Sequence, residues 1–114
     1  MRNHTHNLTF PVFSNYPVRV TFTNSIIKQA RKICGPDYAA GDGQGDPAAL
    51  TLSNSDGWAV MLLPHNPAPA TVAHEAYHVI AALLKWIGAA QEEEVIAYHL
   101  GYLVDRILAW SKTK

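Results

Sequence analysis

Apolar and polar residues first alternate at Val18-Arg19-Val20-Thr21-Phe22, a run rich in β-branched and aromatic side chains that predicts a short strand. The period then changes. Ile26, Ile27, Ala30, Ile33 and Cys34 recur at helical spacing, so a helix is predicted from about Ser25 to Cys34. Thr23 or Asn24 can cap it and Gly35-Pro36 stops it. Ala49 to Ser53 and Trp58 to Leu63 read as two strands joined by the turn Asn54-Ser55-Asp56-Gly57. Pro64 to Pro69 is a proline-rich connector. A helix is predicted from about Ala70 to Ile87, ended by Gly88. A last one runs from about Gln91 to Trp110, with acids in its first turn and Lys112 and Lys114 past its end.

Three stretches are less regular. Met1 to Asn7 is polar and is expected to be a disordered tail. Leu8 to Phe13 is apolar but holds Pro11, so it reads as an edge strand or an extended arm. Asp37 to Pro47 contains Gly41-Asp42-Gly43-Gln44-Gly45-Asp46-Pro47, a flexible connector by composition. It lacks the Gly-Lys-Ser/Thr ending of a phosphate loop and the acid spacing of an EF-hand.

The element order predicts one α+β domain over residues 1–114. It has a small, mainly antiparallel sheet, one N-terminal helix and a pair of C-terminal helices, all packed on one face of the sheet. Nine basic residues balance nine acidic ones, so the formal charge is zero. That removes the electrostatic footprint of a protein that grips nucleic acid or anionic lipid. The single cysteine, Cys34, excludes an internal disulfide and a Cys-rich zinc site. It reads as a small hydrophobe at a helix end. The N-terminus is too polar for a signal segment, and the apolar stretch Val79 to Leu84 is too short to span a bilayer. A cytoplasmic protein with no membrane partner is expected.

Chemistry concentrates at His74-Glu75-Ala76-Tyr77-His78. Residues four apart on a helix return to nearly the same face, one turn on. His74 and His78 can therefore reach one zinc ion, while Glu75, rotated off that face, can reach a water on the ion as general base. A third ligand is expected from the helix that follows, which opens Glu92-Glu93-Glu94. Periodicity does not separate Glu94 from Glu93. The length of helix beyond His78 also brings His99 into consideration.

His74-Glu75-x-x-His78 followed by Glu94-x-x-Ala97-Tyr98 resembles the minimal gluzincin metallopeptidases, above all the short members encoded by phages and prophages. The resemblance covers about Ala70 to Ile107, and Val95 stands where those proteins usually carry alanine. It implies a zincin-like helix pair and a Zn2+ cofactor held by His74, His78 and Glu94. It further implies Glu75 as the catalytic base, a peptide or protein substrate, and the host cytoplasm as compartment. The substrate strand is expected to add beside Trp58 to Leu63. Tyr98, His99 or Tyr102 could stabilise the oxyanion.

Each feature also has a plainer reading. H-E-x-x-H occurs by chance on helices with surface histidines. The glutamate run suits a helix N-terminus. Tyr98, His99 and Tyr102 suit aromatic packing, His4 and His6 a solvated tail, and Trp58, Trp86 and Trp110 core or interface anchors. A catalytically inactive zincin-fold module that binds a phage or host protein is the alternative function.

Overall fold

The computed structural model describes residues 2–11, 13–38, 48–89 and 92–112. The Gly41–Asp46 connector lies outside the described residues. Strand β1 (His4–Thr9) is followed by β2 (Pro17–Phe22), helix α1 (Ile26–Cys34), strands β3 (Leu50–Asn54) and β4 (Trp58–Leu63), and helices α2 (Pro69–Ile87) and α3 (Glu93–Ser111). The fold is α+β, as expected, with four strands in the order β1-β2-β4-β3.

Three expectations about the sheet are corrected. The polar N-terminus is no tail: His4 to Thr9 pairs antiparallel with β2, with Leu8 opposite Val18. Polarity misled here because the inward-facing histidines pack as aromatic rings. His6 stacks on Trp110 at 4.5 Å and meets Phe22 edge to face, and His4 meets His65 edge to face.

Second, the sheet is mixed. β1/β2 and β3/β4 are antiparallel, but the central pair β2/β4 is parallel. The crossover through α1 brings the chain back beside β2, and the β3–β4 hairpin then leaves β3 on the outside. Composition explains the choice of strand. β4 reads Trp-Ala-Val-Met-Leu-Leu and is buried on both faces, the mark of an interior strand. β3 reads Leu-Thr-Leu-Ser-Asn, apolar on one side only, which suits an edge.

Third, the helices lie on both faces. Val18, Val20, Phe22, Ala59, Met61 and Leu63 form the main core against α2 and α3. Val60 and Leu62, with Leu52, face the other way onto Ile26 and Ala30 of α1. Burial of this apolar area, at about 25 cal/mol per Å2, holds the layers together.

The hairpin turn follows expectation. Gly57 takes φ +94° in the turn, and a Cβ there would stand 2.5 Å from the Trp86 indole. Glycine is required for both reasons. α2 ends at Gly88 with φ +72°, its N–H reaching the carbonyls of Leu84 and Lys85. At α3, the Glu92 side chain accepts the Glu94 N–H as an N-cap. Among the described residues no helix is long and apolar enough to cross a membrane.

Candidate metal centre

Helical periodicity divides α2 into two faces. Val72, Ala76, Val79, Ile80, Leu83 and Leu84 are buried, whereas His74, Tyr77 and His78 are exposed. Pro69 opens the helix, where its missing N–H costs nothing. His74 and His78 project together: their Nε2 atoms are 3.3 Å apart. Two nitrogens at about 2.05 Å from one zinc ion, at the tetrahedral angle, lie about 3.3 Å from each other. The pair therefore fits half of a zinc coordination shell. The same separation also lets one neutral imidazole donate to the other.

Glu75 departs from the pattern of its helix, being charged yet only 8% exposed. A buried carboxylate needs partners. Thr51 of β3 supplies one, its hydroxyl lying 2.7 Å from Oε1 and 3.1 Å from the Glu75 carbonyl oxygen. The other carboxylate oxygen, Oε2, is 3.9 Å from His74 Nε2. Thr51 was not singled out from the sequence. The signal was there: Thr51 and Ser53 are the polar positions alternating with Leu50 and Leu52, on the side of β3 that faces α2. Next to Glu75 is a cleft of about 340 Å3 bounded by Ala48, Ala49, Thr71 and His74.

The residues expected from α3 are placed differently. Glu94 is exposed in the first turn, on a stripe with Ala97, Tyr98 and Gly101 that faces solvent. Ala97 is exposed, and a Cβ on Gly101 would meet nothing within 4 Å, so these small residues mark no close approach of the helices. Glu93 is exposed as well. Among the described residues, no third His, Cys, Asp or Glu gathers with His74 and His78 to form a metal-binding group. The reason is length: α2 runs nine residues past His78, about 13 Å, before the chain turns into α3.

His99 turns inward. It is 4% exposed, lies 5.2 Å from both the Phe10 and Phe13 rings, and has Nδ1 2.7 Å from the Val95 carbonyl oxygen. Tyr102 donates to the Thr9 carbonyl at 3.5 Å and lies beneath the Arg106 guanidinium. Tyr98 is 59% exposed. These three residues serve the N-terminal segment and the solvent face of α3.

β4, the strand expected to receive substrate, is paired on both sides, and among the described residues the open sheet edges are β1 and β3. It is β3 that carries Thr51 to Glu75. No family model, curated protein or solved structure matches this chain.

Proposed function

We propose that the chain is a zinc-dependent metallopeptidase-like protein that hydrolyses peptide bonds, with His74 and His78 holding the ion and Glu75 as general base. One observation carries the reading. A histidine pair at zinc-chelating separation stands beside a buried glutamate that the open edge strand anchors. A bound zinc ion would supply a Lewis acid and a water acidified to a pKa of about 7.

The chain's own residues do the rest. Thr51 occupies Oε1 of Glu75, leaving Oε2, on the His74 side, to take a proton from the attacking water and return it to the departing amine. The substrate lies extended along β3, where backbone groups on the free side of the strand can pair with it. Two imidazoles leave room for water, substrate and one further ligand, and among the described residues Glu94 does not join them.

Zinc content and cleavage of an unfolded protein substrate test this together. Wild type and Glu75→Gln are expected to retain zinc after dialysis, while the His74→Ala/His78→Ala double variant loses it. Glu75→Gln should lower turnover by about 10²–10⁴-fold. Cleavage that survives this change unaltered would remove Glu75 from the mechanism.

The lack of a gathered third ligand among the described residues favours a second reading, an inactive module that binds a peptide or protein. In that reading His74 and His78 are a solvated pair bonded to each other. Absence of both zinc and cleavage in the first experiment would select it.

A further inference from the structure

The cleft beside Glu75 has a neighbour. A second one, of about 550 Å3, lies at the other end of β3 between Ser53, Asn54 and Ser55 and the α2 residues Ala82, Lys85 and Trp86. The two clefts flank the opposite ends of the same strand and lie along the same helix. Thr71, His74, His78, Ala82 and Lys85 recur every three or four residues and form one stripe along α2. Among the described residues, the strand beside that stripe has an unpaired edge.

The far end differs chemically from the near end. Lys85 is exposed and forms no ion pair among the described residues. Trp86 stands next to it, 36% exposed, with its ring 5.3 Å from that of Tyr16 and close over Gly57. A rigid aromatic wall, a single cation and the polar groups of Ser53 to Ser55 match a carboxylate on a short stem.

We propose that the Lys85–Trp86 cleft is a subsite for an aspartate or glutamate side chain of an extended peptide laid along β3. The acid would stand four positions from the peptide residue opposite Thr51. This rests on the reading of β3 as the substrate edge. The spacing follows from rise and parity. Glu75 and Lys85 are ten residues apart on α2, about 15 Å. Four extended residues cover about 13.5 Å, and an even number of steps keeps both side chains on the face toward α2. Two steps reach only the level of Ser53 at the near side of the cleft, four reach the level of Ser55 just past the end of β3, and six pass it.

The test uses the full chain, treated with chelator so that no turnover occurs, and fluorescent nine-residue peptides blocked at both ends. Glutamate is placed four residues before or after the central position, with glutamine and lysine controls. One glutamate peptide is expected to bind about three- to tenfold more tightly than its glutamine counterpart. The preference should vanish in Lys85→Gln and turn toward the lysine peptide in Lys85→Glu, with circular dichroism showing both variants folded. Methylating alternate backbone amides of the peptide should weaken binding by blocking strand addition.

Affinity independent of the acid, an equal preference in Lys85→Gln, or no binding of any peptide would overturn the proposal. Cleavage by the zinc-loaded chain is then read separately, and the cut is expected four residues from the glutamate. A cut at another fixed spacing would overturn the stated geometry. A Lys85-dependent preference with no cleavage would sink the hydrolase reading and leave the subsite standing.

Discussion

Helices α2 and α3 are each nineteen residues long, yet they relate to the chemistry in opposite ways. On α2 the two histidines come together at 3.3 Å, and the glutamate between them turns to the sheet edge. On α3 the glutamate expected as a ligand faces solvent, and the inward face covers the N-terminal segment. His99 packs on Phe10 and Phe13, Tyr102 reaches the Thr9 carbonyl, and Trp110 stacks on His6. Within one helix, rise and rotation fix how side chains stand to one another. Between helices, the turn position and the competition for burial decide. For α3 that competition is one-sided: Ile96, Leu100, Leu103, Val104 and Ile107 outweigh any single carboxylate.

The sharpest break in this contrast would come from cutting each helix on its own terms. Leu83 of α2 is 1% exposed in the main core, and Tyr98 of α3 is 59% exposed. Leu83→Ala should cost about 2–5 kcal/mol in urea unfolding, and Tyr98→Ala no more than about 0.5 kcal/mol. A large loss from Tyr98→Ala would mean that the outward stripe of α3 is covered after all. A smaller loss than for Leu83 is expected from Gly57→Ala, in the turn beneath α2. It combines a left-handed φ with a 2.5 Å approach to Trp86, for about 2–4 kcal/mol together. Gly57→Ala in a Trp86→Ala background isolates the backbone part. If the penalty is unchanged there, the indole plays no role.

The same contrast explains how much of the molecule the sequence made legible. Elements with a strong period were read to within a residue or two: β4 from Trp58 to Leu63, α2 up to its Gly88 stop, and the Asn54–Gly57 turn. β1 was missed because His4 and His6 count as polar by residue type while acting as rings against Trp110, Phe22 and His65. The two-sided packing of β4 is written in its unbroken apolar run, although alternation, the usual mark of a strand, points only to a strand buried on one face. At the site, the histidine pair and Glu75 needed only the helix period. Thr51 lies twenty-four residues away in the chain, and only the hairpin's place at the sheet edge brings it to Glu75.

Thr51→Val keeps the shape of the side chain and removes its hydroxyl. The buried Glu75 carboxylate then loses its close donor, at about 1–2 kcal/mol, less than the Gly57 change. Unfolding at neutral pH measures the cost. Equal stability of the two proteins would show that the carboxylate is satisfied from elsewhere. The sheet edge would then have no hold on α2.

The smallest effect belongs to the other helix and tests its grip on β1. Burial, and secondarily the nearby charge of His4, hold the His6 imidazole below its ordinary pKa of 6.5. In the unfolded chain the ring takes a proton near 6.5, while the folded chain takes it only at lower pH. Between those two values the unfolded state binds more protons, so stability rises with pH. The contribution is complete above 6.5 and lost as pH falls through the folded value. Contact of a protonated ring with the Trp110 face opposes the shift, which keeps the effect small. The measurement is the difference in stability between wild type and His6→Gln, followed from pH 7.5 to pH 5. That difference should shrink as the solution is acidified, because only wild type has a neutral ring to lose. A difference that stays flat would mean that the stack takes a proton as readily as the free side chain. The contact between α3 and the first strand would then be loose enough to admit water around the ring.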